Sequence, residues 1–198
     1  MQTIQNSIFQ ILMERSKEPI FKGNFVLIFF ASLLMFTAFY IMLPTLPVFL
    51  TSELKIDEGK TGIILAVYTL AALLIRPFTG FLIDRHGRKL FYIPALFMFA
   101  LLFGGYPLSV AFSFIVFVRF LHGLVWGIAT TTGSTLVVDI VPPERRGEGI
   151  GLYGLAMTFP MALGPFAGLQ LSHNSNYALM FLCAGILAFA GFTLTLMI

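Results

Sequence analysis

The chain has 198 residues, of which 58% are hydrophobic and only 11% charged, with a mean hydropathy of +0.93. A soluble domain of this size carries roughly a quarter charged residues, so too few charges are present to coat a water-facing surface, and the composition is that of an integral membrane protein. The basic balance, net charge +3 and pI near 9.2, therefore does not point to nucleic acid; it has to be read by where the bases lie relative to the membrane.

Residues 1–22 are a mixed tail. Ile4, Ile8, Phe9 and Leu12 share one helical face, which leaves two readings open: a short helix on the membrane surface, or a loosely ordered segment. A cleavable signal is not expected. The apolar run after Lys22 is too long for one, and no small-x-small cleavage site stands out after it. The rest, 23–198, reads as one transmembrane domain.

Six spans are expected. The first, about 25–50, contains Pro44 and Pro47, which would break a soluble helix but are tolerated in a membrane bundle and suit a flexing segment. The second, about 61–83, ends in the charged hinge Gly80-Phe-Leu-Ile-Asp84-Arg85-His86-Gly87-Arg88-Lys89. The third is about 90–106, the fourth 111–141, the fifth 147–171 and the sixth 177–198. Eight of the twelve Lys and Arg residues fall in the tail, in the hinge after the second span and in the turn after the fourth (Arg145, Arg146); only Lys55 and Lys60 lie on the other side. The positive-inside rule then puts both termini in the cytoplasm, in an inner or plasma membrane.

Pro77-Phe78-Thr79-Gly80 of the second span is echoed 88 residues later by Pro165-Phe166-Ala167-Gly168 of the fifth. The same offset carries the first span onto the fourth and the third onto the sixth. The expected fold is therefore all-α, with six transmembrane helices arranged as two inverted three-helix repeats.

Charge inside the membrane is costly, which makes it a candidate for function. Arg76 stands four and eight residues before Gly80 and Asp84, on one helical face; snorkelling to the membrane surface and a gating role both fit it. Arg119 opens a stripe of His122, Gly123, Trp126, Thr130 and Gly133 on the fourth span, suited to a cavity wall or to helix packing. Function is the stronger reading for Arg119; for His122 it stays open. Asp139, at the same membrane face as Arg85 and Arg88, is a partner for those bases or a solvated helix-end acid. Gly147, Gly151, Gly154, Thr158 and Pro165 share a face of the fifth span that permits close contact and bending. His86 and His173 read as loop residues, and the single Cys183 as an inert thiol. No phosphate-binding Gly-rich loop, metal-ligand spacing or paired catalytic acids occur, so neither an enzyme nor a cofactor is expected.

The hinge Gly80…Asp84-Arg85-x-Gly87-Arg88-Lys89 resembles the loop between the second and third helices of the major facilitator superfamily of transporters. The chain resembles the N-terminal six-helix half of such a transporter over nearly its whole length. The resemblance implies a latch at the cytoplasmic side built on Gly80, Asp84, Arg85, Gly87, Arg88 and Lys89. Arg119-Phe-Leu-His122-Gly123 is similar to the family's fourth-helix R-x-x-Q-G motif, implicated in proton coupling, with His122 in place of Gln. Gly151, Pro160, Gly164-Pro165 and Gly168-Leu169 resemble the antiporter motif of the fifth helix, with Pro160 and Leu169 where glycines are usual. Leu43-Pro44-Thr45-Leu46-Pro47 is similar to the first helix of twelve-helix drug exporters. The expectation is half of a secondary active transporter, moving small amphipathic or drug-like compounds outward by alternating access, coupled to protons. A sugar or metabolite carrier of the same fold is an alternative, as is a non-transporting fragment or a self-pairing membrane module. Expected partners are the lipid bilayer, a small-molecule substrate, protons and a second six-helix half. No partner for Asp84 is expected within the 198 residues, because in the family that acid meets the second half.

Overall fold

A computed structural model describes residues 20, 23–108 and 111–198; apart from Ile20, the expectations for the tail 1–22 lie outside the described residues. Among these, every element is helical: α1 Asn24–Met42, α2 Thr45–Ser52, α3 Glu58–His86, α4 Lys89–Leu102, α5 Phe112–Ile140, α6 Arg146–Leu171 and α7 Tyr177–Thr195, with single 3₁₀ turns at Phe103–Gly105, Pro143–Arg145 and His173–Ser175. Five helical stretches are long and apolar enough to cross a membrane: Asn24–Ser52, Glu58–His86, Phe112–Ile140, Pro143–Leu171 and Tyr177–Thr195. The sixth apolar helix, Lys89–Gly105, is shorter. These helices are apolar on nearly all sides: Leu73, Leu74, Phe78, Phe159 and Phe166 are exposed. That fits lipid as the surrounding solvent, where only closed backbone hydrogen bonding is tolerated.

The first span is interrupted between Met42 and Thr45, where Pro44 caps α2. Proline cannot donate to the preceding turn. Pro47 sits in the first turn of α2, where its missing N–H leaves no intrahelical bond unmade. Thr45 Oγ1 lies 3.2 and 3.1 Å from the carbonyls of Ile41 and Met42, so a side chain serves the carbonyls that the break leaves free.

The helix pairing follows the internal repeat. α3 packs mainly on α5, as α6 packs on α1; α4 packs on α5, as α7 packs on α1; and α4 meets α7. Individual contacts obey the 88-residue offset too. Tyr92 lies against Gly133, and Met180, 88 residues after Tyr92, meets Thr45, 88 residues before Gly133, with Thr45 Oγ1 2.7 Å from the Met180 sulfur. An odd number of crossings per copy makes the two copies run oppositely through the bilayer.

Asp57 caps α3, accepting from the Lys60 backbone N–H at 2.9 Å. That hydrogen bond, with the Lys60 ammonium 3.3 Å away, holds its carboxyl below the usual carboxylate range. A depressed acid stabilises the fold above its unfolded value and loses that contribution as pH falls through the folded one. The protection of the amides in the first turn of α3, measured relative to their intrinsic exchange rates at each pH, is therefore expected to fall as pH drops below about 4, and Asp57→Asn to flatten that dependence.

Candidate functional site

The hinge is built around Arg88. α3 ends at His86, and Gly87 follows with φ of 92°, a left-handed conformation that side chains rarely adopt. This reversal turns Arg88 back on the helix end, where its Nη1 donates to the Ile83 carbonyl at 3.0 Å. Nη2 lies 2.9 Å from Asp84 Oδ1, and Nε lies 2.8 Å from Asp139 Oδ2 near the end of α5. The Nε contact is an ion pair by distance rather than an aligned hydrogen bond. One guanidinium thus links an acid on each of two helices. Asp84, for which no partner is expected from the sequence, has one: Arg88 stands four residues on, the ordinary spacing of an i,i+4 ion pair. Arg85 is exposed and forms no ion pair among the described residues; Lys89 reaches the Ile198 carbonyl. No atom lies within 4 Å of a Cβ placed on Gly80, so the face above the hinge is open. Because the Arg88 and Asp139 side chains are 26% and 46% exposed, a double-mutant cycle of Arg88→Ala and Asp139→Ala is expected to give a coupling of no more than about 1 kcal/mol in thermal unfolding.

Further along α5, Arg119 is 1% exposed and His122 fully buried. Both lie inside the six-helix half, not on its surface. Arg119 Nη1 donates to Tyr106 Oη at 3.3 Å, and the same hydroxyl lies 2.8 Å from His122 Nδ1. The guanidinium stands 4.6 Å from the centre of the Tyr68 ring and 5.7 Å from that of Tyr106. Phe99 and Phe103 pack edge-on to His122, and Trp126 stacks on Phe39 at 4.2 Å. Arg119 Nε, His122 Nε2 and Tyr68 Oη are buried without a hydrogen-bond partner. This is a cation in an aromatic box with no carboxylate against it among the described residues.

The rest of the stripe divides. A Cβ on Gly123 would fall 2.3 Å from the Tyr68 carbonyl, and one on Gly127 2.6 Å from that of Ala72, so these glycines let α5 lie directly on α3. Thr130 is half-buried and bonds back to the Trp126 carbonyl. Arg76 is exposed on α3 and forms no ion pair among the described residues. In α6, Gly164 and Gly168 meet the α1 backbone at Tyr40 and Ile41, while Gly147, Gly151 and Gly154 have nothing within 4 Å. The close-contact face of α6 is therefore Gly149, Ala156, Pro160, Gly164 and Gly168, and not the one formed by Gly147, Gly151, Gly154, Thr158 and Pro165. Pro160 is buried on that face, and Pro165 half-buried beside it.

Sequence reasoning missed the tyrosines. Ser32 of α1 lies 3.1 Å from Tyr92 Oη and 3.0 Å from Tyr153 Oη, joining α1, α4 and α6; Ser32→Ala is expected to cost about 1–3 kcal/mol in thermal unfolding, since buried hydroxyls lose a partner. The available signal was that a tyrosine in an apolar helix carries a hydroxyl that must be satisfied. An open apolar groove of about 610 Å³ between α4 and α7, lined by Phe97, Leu101, Phe181 and Phe189 among others, carries no charged side chain and lies apart from the hinge.

A family model described as Major Facilitator Superfamily matches residues 28–198. The quinolone resistance protein NorA of Staphylococcus aureus (strain Mu50 / ATCC 700699) is 27% identical over 177 residues, covering 89% of this chain and 45% of the relative. The uncharacterized MFS-type transporter YhcA of Bacillus subtilis (strain 168) is 33% identical over 116 residues, 58% of this chain and 21% of its own. Among solved structures, a mutant of the peptide transporter POT in complex with alafosfalin superimposes with a TM-score of 0.80 at 19% identity, over 88% of this chain and 39% of that one. The human organic anion transporter MFSD10 (TETRAN) gives 0.71 at 22% identity, over 86% and 46%. The chain spans less than half the length of these proteins.

Proposed function

The chain belongs to the Major Facilitator Superfamily, and on that premise we propose that it forms the N-terminal half of a proton-coupled exporter of small amphipathic, drug-like compounds. The likeness to NorA over 89% of the chain supports the drug-efflux part of the reading. The observation that carries the mechanism is Arg88 held between Asp84 and Asp139 at one end of α3 and α5. These contacts are weak enough to break, and together they tie the ends of α3 and α5 in one closed arrangement. A second half would bear on the open faces of α3 and α6, where Gly80, Gly151 and Gly154 leave room and Leu70, Phe81, Leu155 and Phe159 are exposed. Rocking about that contact exposes a central site to either side. With the hinge end cytoplasmic, the latch closes the inner gate. Arg119, with Tyr106 and His122, answers to the proton: a proton arriving near a cation that lacks a carboxylate shifts the local field in a medium that barely screens it.

The test is substrate-driven proton movement in proteoliposomes carrying the protein as its host makes it, loaded with a pH-sensitive dye. Addition of a fluoroquinolone is expected to dissipate an imposed proton gradient, and Arg88→Ala to abolish that flux. Saturable uptake of a sugar without proton movement, or no flux of any solute, sinks the exporter reading.

A further inference from the structure

The hydrogen bonds that join Arg119, Tyr106 and His122 have directions fixed by what each group can donate. A guanidinium only donates, so Tyr106 Oη accepts from Arg119 Nη1 at 3.3 Å. The hydroxyl keeps one hydrogen to give, and His122 Nδ1 stands 2.8 Å away. If Nδ1 accepts it, a neutral imidazole carries its own hydrogen on Nε2, and of this pair only that buried N–H is left unpaired. If Nδ1 carried the hydrogen instead, the Tyr106 hydrogen and the Nε2 lone pair would both be left unpaired. A doubly protonated ring would also leave two, and would set a second cation beside Arg119. Buried polar groups in folded proteins are paired wherever they can be, so the first arrangement is favoured, with the bonds running from Arg119 to Tyr106 to His122. All three side chains are at most 1% exposed, so the six helices enclose them without help. Tyr106 is held in turn by Phe181 of α7, the two rings stacked at 5.0 Å and 7°.

The packing does not require this polar group. The 88-residue offset sets Ala31, Leu34 and Leu194 in the places of Arg119, His122 and Tyr106, and Gly191 in that of Phe103. The contact is kept: Phe103 packs on His122, and a Cβ on Gly191 would lie 3.4 Å from the Leu34 Cβ. One copy of the repeat thus fills with aliphatic side chains the place where the other holds a relay of hydrogen bonds. We infer that Tyr106 and His122 are positioning residues that aim the Arg119 guanidinium, with His122 serving as a neutral acceptor through Nδ1 and not as the group that carries the proton. The inference deepens the coupling part of the transport reading and rests on it for any effect on flux; the hydrogen-bond directions stand without it. A guanidinium on a long stem is directed by its acceptor, and an acceptor that itself donates onward is polarised and binds more strongly. The titratable and charged groups that face His122 are Arg119 on its own helix, Tyr106 beyond the end of α4 and Tyr68 of α3, with Phe99 and Phe103 closing the rest.

Nitrogen NMR of the protein as its host makes it, labelled at histidine and held in lipid nanodiscs, reads which ring nitrogen carries hydrogen, and His122→Asn identifies the His122 signals. Near neutral pH a neutral ring is expected, bare at Nδ1 and protonated at Nε2. Tyr106→Phe removes only the hydroxyl and keeps the ring on Phe181, and it is expected to abolish that preference. A His122 protonated at Nδ1, alone or together with Nε2, overturns the inference, as does a tautomer that Tyr106→Phe leaves unchanged. Proton flux in proteoliposomes, compared at equal amounts of folded protein, supplies the second measurement. His122→Leu leaves Tyr106 nothing to donate to, and flux is expected to fall at least about tenfold. His122→Asn sets a carbonyl oxygen near the place of Nδ1 but takes up no proton, and it is expected to recover most of what His122→Leu loses. An asparagine variant as impaired as the leucine one assigns the proton to the imidazole and overturns the inference. If the unaltered protein moves no protons, the exporter reading falls, while the tautomer still decides how Arg119 is held.

Discussion

Gly123→Val and Gly168→Val are each expected to prevent the six-helix half from assembling. The reason lies in the backbones rather than in the side chains. A Cβ on Gly123 would fall 2.3 Å from the Tyr68 carbonyl oxygen, and one on Gly168 2.1 Å from that of Ile41. Real Cβ atoms never approach a carbonyl so closely, and a backbone carbonyl within a helix cannot turn aside as a side chain can. The helices have to separate, which removes the packing that holds α5 on α3 and α6 on α1. Overpacking of a core typically costs 1–3 kcal/mol; with main chain as the obstacle and a β-branched substituent, at least about 3 kcal/mol is expected, a large share of the total stability of a typical domain. Thermal unfolding and size-exclusion profiles in mild detergent measure this. Gly151→Val is the control, because nothing lies within 4 Å of the added carbon. A Gly168→Val protein as stable as Gly151→Val would show that the helices do not meet there.

Arg119→Met is expected to separate stability from activity. Burial of a guanidinium without a carboxylate carries a desolvation penalty of several kcal/mol. Against it stand one hydrogen bond to Tyr106 and two ring faces, together worth about 3 kcal/mol. Methionine fills much of the same volume and needs no partner, and Tyr106 keeps His122 as a hydrogen-bonding neighbour. Thermal stability is therefore expected to stay the same or rise by about 1–2 kcal/mol, while proton flux in proteoliposomes falls about a hundredfold. Arg119→Ala, which leaves a cavity, is expected to lose about 2–5 kcal/mol. If Arg119→Met is as damaged in unfolding as Arg119→Ala, the arginine is a structural element and its part in coupling falls.

The hinge and the fifth span, α6, show how far residue patterns reach. Spacing alone placed Arg88 and Asp139 at one face of the membrane, because the span lengths decide at which end each residue emerges. The Asp84–Arg88 pair was itself within reach of spacing, since the two stand four residues apart; what spacing could not show is that one guanidinium serves Asp84 and Asp139 together. In the fifth span, α6, the glycines were visible as a pattern but their partner was not: Gly151 and Gly154 share the composition of Gly164 and Gly168, yet one pair faces open space and the other the α1 backbone.

What the sequence by itself determined is the class and the topology. Charge scarcity requires lipid as the solvent, the span lengths require helices that close their own hydrogen bonds, and the 88-residue echo orders them as two copies. Each of these is a one-dimensional property, carried by composition and spacing. The setting of Arg119 was decided only by tertiary structure. On a helical wheel it belongs with His122, Gly123 and Trp126 on one wall; in three dimensions Tyr106 and Tyr68, from elsewhere in the chain, enclose it. Periodicity specifies the direction in which a side chain leaves its own helix, but what it meets depends on how the other helices pack, and in an apolar chain that packing is directed by small residues and shape rather than by any pattern of polarity.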